Sequence, residues 1–122
     1  MTIEFYLAAL HEKLREIEGL VLSRTIQQEI DGTLGIGYIK GQIVFIDGSK
    51  LEFSEQLPTD RSKFRFHYMD AQKNLIVRWD SAPHHMELST FPFHKHTQEG
   101  TEEHPGTTLL NILAEIEKAI LV

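Results

Sequence analysis

The sequence has no cysteine, few prolines and no long hydrophobic run. The absence of cysteine excludes disulfides, thiol catalysis and any zinc or iron–sulfur site with cysteine ligands. No segment approaches the roughly 18 consecutive apolar residues of a transmembrane helix. The first turns carry Glu4, Glu12, Lys13 and Arg15 and lack an apolar leader. We therefore expect no signal peptide and a cytoplasmic protein.

The charge is unevenly distributed along the chain. The 122 residues carry a net charge of -6, which argues against general nucleic-acid binding. Residues 61–96, however, carry +3 and five of the seven histidines, and the rest of the chain carries -9. This length and a hydrophobic content of 41% predict a single domain spanning residues 1–122. This distribution of charge still allows a local anion-binding site within residues 61–96.

Apolar periodicity predicts a helix at each end of the chain. Between residues 2 and 18 the apolar residues repeat at intervals of four and three, with Thr2 as the N-cap and Gly19 as the stop. The last helix begins after Thr107 or Thr108. The stripe on the first helix favours packing on a sheet, and a coiled-coil homodimer is the alternative.

Between the helices, short alternating segments predict an α+β fold whose antiparallel meander has about six strands. The predicted strands are 25–30, 34–39, 42–46, 50–54, 62–69 and 75–80. Lys40-Gly41 and Asp47-Gly48 are predicted hairpin turns. Residues 81–106 are predicted as an ordered loop, and both helices are expected to cover one face of the sheet.

The predicted hairpin of residues 62–80 separates apolar from polar side chains. Pairing its apolar residues through an even-length loop places Arg65 opposite Arg78. Arg65, His67, Arg78 and Asp80 then share the face away from the core. Two arginines held together indicate an anion site, and a solvated face with an ion pair to Asp80 is the alternative.

The densest features are His84-His85 and His94-Lys95-His96. A His-x-His pair in an extended segment points both rings to one side, which suits a metal ion. His84, His85, His94 and His96 are therefore the candidate metal ligands, and no carboxylate stands at a recognisable ligand spacing. The alternative is that these rings bond to loop backbone or lie exposed.

The same side chains fit cleavage of RNA without a metal or other cofactor. The reaction needs a base, an acid and cations around the phosphate in the transition state. Histidine suits both proton transfers near neutral pH. The candidate catalytic residues are His67, His84, His85, His94, His96 and Asp80. The candidate phosphate-binding residues are Arg65, Arg78 and Lys95.

Residues 64–96 closely resemble the TumE family of prokaryotic toxins. The resemblance is carried by F-H-Y, R-W-D-S-A-P-H-H and F-P-F-H-K-H, with G-Y-I-K-G and D-G-S-K-L-E-F upstream. It implies a toxin component of a toxin–antitoxin pair, with a small winged-helix DNA-binding protein as the antitoxin. It also implies a shared site, without assigning roles, at His67, Arg78, Asp80, His84, His85, His94, Lys95 and His96.

Three functions are consistent with these observations. The leading hypothesis is a cytoplasmic toxin that acts on RNA as an endoribonuclease. A non-enzymatic module would instead dock the cationic face on an acidic antitoxin or a translation factor. A metal-dependent hydrolase would use the histidine cluster to hold a divalent ion.

Overall fold

The computed structural model describes residues 2–58, 63–81 and 87–122 and confirms the α+β meander. A seven-stranded antiparallel sheet follows chain order, with one helix before it and one after it. The helices are α1 (Ile3–Glu16) and α2 (Leu109–Leu121), and a 3₁₀ turn spans Glu18–Leu20. The strands are β1 (Val21–Asp31), β2 (Ile36–Phe45), β3 (Lys50–Leu57), β4 (Phe64–Met69), β5 (Leu75–Asp80), β6 (His94–Thr97) and β7 (Gly100–Glu103). Within the described ranges, the helices are too short or too polar to cross a membrane.

Both helices begin at the predicted threonine caps. Thr2 Oγ1 accepts a hydrogen bond from Phe5 N at 3.0 Å, and Thr108 Oγ1 accepts one from Asn111 N at 3.2 Å. Such caps satisfy amide groups that have no partner within the helix. Lys13 Nζ on α1 donates to Glu117 Oε1 on α2 at 2.6 Å, so the two helices also contact each other.

Both helices cover the same face of the sheet, as predicted, and we call it the helix face. Buried residues of α1 and α2 join one apolar core with side chains that alternate along the strands. This core includes Leu10, Phe53, Phe66, Trp79 and Leu113. The opposite side, which carries Arg65, His67, Arg78 and Asp80, is called the distal face.

The predicted hairpin at Lys40-Gly41 is wrong, because β2 continues through both residues. A Cβ on Gly41 would overlap the backbone oxygen of Thr25 on β1. Gly41 therefore permits close approach of two strands rather than a turn. The turn predicted at Asp47-Gly48 is present, but of the two positive φ angles expected for a type I′ turn only that of Gly48 (86°) is found.

The prediction that residues 81–106 form a loop is also wrong in part. His94–Thr97 forms β6 and pairs with β5, and Gly100–Glu103 forms β7 and pairs with β6. Each strand has four residues, too few for alternation to identify it in the sequence. Because the predicted strands 34–39 and 42–46 form the single strand β2, these two additions give seven strands, one more than expected.

The predicted faces of the β4–β5 hairpin are correct, but its register is shifted by two residues. Arg65 pairs with Asp80 and His67 pairs with Arg78, so the two arginines are not opposite each other. The five-residue connection is closed by Asp70, whose side chain accepts hydrogen bonds from Gln72 N and Asn74 N. A register irregularity next to Tyr68 accommodates this odd-length loop.

Candidate functional site

The pairing of β4, β5 and β6 assembles six chemistry-bearing side chains on the distal face. Across the strands, Arg65 pairs with Asp80 and Asp80 with His94. In the neighbouring row, His67 pairs with Arg78 and Arg78 with His96. Adjacent strands lie about 4.8 Å apart, so each row spans about 10 Å. We call this group the distal array; it consists of Arg65, His67, Arg78, Asp80, His94 and His96.

Arg78 and Asp80 form the centre of the array. Arg78 Nε lies 3.7 Å from Asp80 Oδ2, and the carboxylate side chain is mostly buried. Arg78 Nε is itself buried and makes no hydrogen bond to any part of the chain that the structure describes. A buried donor of this kind carries a desolvation cost that a bound acceptor can remove.

His67 lies beside two cations. Arg65 Nη2 donates to His67 Nδ1 at 3.4 Å, and Arg78 is its cross-strand partner. Partial burial lowers the pKa of His67 below its ordinary value of 6.5, and the positive charges of Arg65 and Arg78 lower it further. Glu52 acts in the opposite direction. A neutral His67 at physiological pH can accept a proton.

Asp80, His94 and His96 form a compact subgroup of the array. One ligand atom from each residue can be chosen so that all three lie within 4.8 Å of one another. The rings of His94 and His96 meet edge to face, with centroids 4.7 Å apart. Sequence spacing offers no carboxylate for this subgroup. The β5–β6 pairing adds Asp80, because it places this residue directly opposite His94.

Hydrogen bonds orient both rings. His94 is 2% exposed, and its Nδ1 lies 2.9 Å from the backbone oxygen of Pro92. Because a carbonyl oxygen only accepts, Nδ1 of His94 must carry the proton, and the neutral ring has its lone pair on Nε2. His96 Nδ1 lies 3.1 Å from the hydroxyl of Thr101 on β7. Both rings are thereby anchored on the side of Nδ1.

Lys95 does not join the distal array. It lies between His94 and His96 in β6, so its side chain occupies the helix face, opposite Trp79 in the register. Its Nζ is 4.0 Å from Glu102 Oε2. His84 and His85, which are candidate site residues from the sequence, lie outside the described residues.

Two further lysines lie near the array: Lys63, which alternation in the sequence places on the same face as Arg65, and Lys40, which sequence reasoning missed. Lys40 stands in the same cross-strand row as Arg65, with Ser54 between them. Lys40, Lys63, Arg65 and Asp80 line an open depression of about 670 Å³ on this side of the sheet. Lys40 could be found only from the register of β2 against β3, which the wrongly predicted hairpin at Lys40-Gly41 concealed.

Comparison with known proteins gives one assignment. A family model described as "Toxin TumE" matches residues 8–120, which is nearly the whole chain. No curated protein and no solved structure matches the chain significantly.

Proposed function

The chain belongs to the TumE toxin family, and from this premise we propose that it is an endoribonuclease whose distal array binds and cleaves RNA. Membership of the family makes the chain a toxin component and implies a cognate antitoxin. The observation that carries the RNA proposal is the placement of His67 between Arg65 and Arg78 on the face that the helices leave open.

The two arginines are suited to bind a phosphodiester. Guanidinium groups present several donors to phosphate oxygens and stay charged at all relevant pH values. Arg78 Nε is a buried donor without a hydrogen-bond acceptor among the described residues, and a phosphate oxygen would supply one. Lys40 and Lys63 line the adjoining depression and extend the positive track along which a nucleic-acid backbone can lie.

The proton transfers are assigned to His67 and His96. When Arg65 turns from His67 to a bound phosphate, Nδ1 of His67 can take the proton of the 2′-hydroxyl. The 2′-oxygen attacks phosphorus and the bond to the 5′-oxygen breaks, while protonated His96 gives its proton to that leaving oxygen. The products are a 2′,3′-cyclic phosphate and a 5′-hydroxyl. Arg65 and Arg78 stabilise the charge that develops on the phosphorane.

The remaining predicted residues take supporting roles in this proposal. Asp80 holds Arg78 through their ion pair, and the buried His94 ring supports the His96 ring through their edge-to-face contact. Lys95 lies on the helix face, and we therefore leave it out of the proposed phosphate-binding group. His84 and His85 follow directly after β5 in the sequence, and we retain them as candidate acid–base groups.

The test uses the purified full-length chain and a 5′-labelled RNA of mixed sequence in buffer containing EDTA. We expect wild type to produce fragments ending in 2′,3′-cyclic phosphate. His67→Gln should slow cleavage by about a hundredfold or more, the usual contribution of an acid–base group. Arg78→Gln should slow it comparably, because the phosphate loses a preorganised cation.

Arg24→Gln is the matched control for Arg78→Gln. Arg24 lies on β1, where the strand register places it on the helix face. Its replacement by glutamine removes one positive charge, as Arg78→Gln does. It should leave cleavage unchanged. If wild type leaves RNA intact while Arg78→Gln abolishes growth inhibition in cells, the array is a docking surface and the chain is not a ribonuclease.

We also propose that the antitoxin is a small DNA-binding protein and that the toxin acts in the cytoplasm, where its RNA substrate would be. The cationic distal array favours an antitoxin with an acidic segment. Co-purification of the chain with the product of the neighbouring gene would test this pairing. Loss of the complex in Arg65→Gln, with retention in Arg24→Gln, would place the antitoxin on the distal face.

A further inference from the structure

We propose that Asp80, His94 and His96 bind a divalent transition-metal ion, for which Zn²⁺ is the natural probe. This set differs from the one that sequence spacing suggested, because it replaces two histidines with a carboxylate from the adjacent strand. It also goes beyond the proposed ribonuclease activity, since metal binding can be measured without RNA.

The distances between the three groups suit a small ion. Their candidate ligand atoms lie within 4.8 Å of one another. Ligands around tetrahedral zinc lie about 3.4 Å apart, as bonds of about 2.1 Å require. Metal binding at this site would therefore require small changes in side-chain torsion angles. Because β5 and β6 are paired, the backbone positions are already fixed by the sheet.

The two rings have the outer contacts that metal-bound histidines usually have. A ligating imidazole commonly donates its second N–H to a backbone carbonyl, a carboxylate or another polar group, which fixes its tautomer and orientation. His94 Nδ1 donates to Pro92 O, so the Nε2 lone pair is the one a metal would use. His96 Nδ1 lies 3.1 Å from Thr101 Oγ1, a hydroxyl that can accept a hydrogen bond from the ring.

The donor set indicates the kind of metal. Two imidazoles and one carboxylate, with no thiolate in the chain, suit zinc and other divalent first-row ions rather than soft copper(I). Asp80 and His94 are both buried, which shields the group from competing water. Three protein ligands leave further coordination positions for water or an anion.

Arg78 sets the strength of this site. Its guanidinium stands 3.7 Å from Asp80 Oδ2, and a bound cation would be repelled by it. Replacing Arg78 by glutamine should therefore tighten zinc binding by at least about tenfold, since a unit charge is removed a few ångströms from the ion. The same variant is expected to weaken RNA cleavage, so the two proposals predict opposite effects of one substitution.

The test measures zinc binding by isothermal titration of metal-free, full-length protein, with Co²⁺ absorption spectra as a second readout. We expect one saturable ion per chain and visible Co²⁺ bands characteristic of low coordination number. Asp80→Asn and His96→Ala should each weaken binding by more than about a hundredfold. Thr101→Val should weaken it by about tenfold, the lower range for loss of an outer contact.

His67→Ala is the matched control, because His67 belongs to the same array but not to the ligand set. It should bind zinc as wild type does. His94→Ala removes a buried ring and is informative only if circular dichroism shows a folded chain; Asp80→Asn and His96→Ala carry the test otherwise. Absence of saturable binding by wild type, or wild-type affinity in both of those variants, overturns the proposal.

The outcome is separable from that of the ribonuclease proposal. If both hold, zinc should inhibit cleavage in EDTA-free buffer, because His96 cannot donate a proton while it ligates the metal. RNA cleavage in EDTA without zinc binding would reject the metal site alone. Zinc binding by a chain that leaves RNA intact would reject the ribonuclease alone.

Discussion

On the helix face, strand β4 contributes Phe64, Phe66 and Tyr68 to the closed apolar core. On the distal face, the same strand leaves Arg65 exposed and His67 partly buried. Among the described residues, the helix face holds one buried carboxylate, Glu55, and the distal face holds one, Asp80. Strand β4 thus packs the core on one side and carries residues of the candidate site on the other, which is possible because side chains alternate along a strand.

The two carboxylates differ in what surrounds them. Glu55 accepts hydrogen bonds from the Tyr6 hydroxyl at 2.6 Å and from Leu109 N, at the start of α2, at 3.0 Å. Neither donor carries a full charge, and burial raises the pKa of Glu55 to about 7. Asp80 instead has the Arg78 cation beside it. The hydrogen bonds of Glu55 join α1, β3 and α2. The ion pair of Asp80 keeps two charged groups together on the distal face.

The largest expected effect on stability is at the helix face. Phe66 is completely buried, so Phe66→Ala should lower the free energy of unfolding by about 3 to 5 kcal/mol. Urea denaturation followed by tryptophan fluorescence measures this. A loss below about 1 kcal/mol would show that the core around Phe66 is not close-packed.

The next largest effect is a dependence of stability on pH at Glu55. Because folding raises its pKa from 4.5 to about 7, the folded chain holds the proton more tightly than the unfolded chain does. The protonation of Glu55 therefore contributes about 3 kcal/mol to the free energy of unfolding. This contribution is complete below pH 4.5 and is lost as the pH rises through 7. Glu55→Gln should flatten this part of the curve of unfolding free energy against pH. Parallel curves for the two proteins would contradict the assignment.

A smaller effect is expected from the hydroxyl that faces Glu55. Tyr6→Phe leaves a buried carboxyl without one donor, so it should cost about 1 to 3 kcal/mol in denaturant titration. Tyr38→Phe is the matched comparison, because the Tyr38 hydroxyl donates to Glu29 Oε2 at the same 2.6 Å in an exposed position. It should cost less than about 1 kcal/mol. Equal losses would show that burial does not distinguish the two hydrogen bonds.

The smallest effect on stability is expected at the exposed part of the distal face. Arg65→Gln should change the free energy of unfolding by less than about 0.5 kcal/mol, since it removes no buried contact. The same change should reduce RNA cleavage, because Arg65 is proposed to bind phosphate. A loss of stability comparable to that of Phe66→Ala would remove the distinction between the faces.

Local patterns predicted the fold where the sequence repeats a signal over several turns or strands. The stripes of both helices, the threonine caps and the Asp47-Gly48 turn were all confirmed. The hairpin turn predicted at Lys40-Gly41 is wrong, because a glycine required for close approach of two strands cannot be distinguished in the sequence from one required for a turn. The strands β6 and β7 are too short to alternate detectably. Pairing rather than local propensity defines them, because β6 pairs with β5 and β7 pairs with β6.

The candidate site was predictable in composition but not in arrangement. Alternation correctly assigned Arg65, His67, Arg78 and Asp80 to one face. It could not give the two-residue shift of register, which depends on the turn that Asp70 closes. Nor could it place Asp80 beside His94, or Lys95 on the helix face, because both follow from a strand that the sequence did not reveal.

The order of the strands has a consequence for how the chain folds. In a meander, each strand pairs with its neighbour in sequence, so sheet growth closes only local loops, the longest being the 13-residue connection between β5 and β6, and costs little entropy. The Tyr6–Glu55, Glu55–Leu109 and Lys13–Glu117 contacts join residues 49, 54 and 104 positions apart. Hairpin formation is therefore the kinetically easy part of folding, and docking of the two terminal helices is the step that carries most of the topological cost.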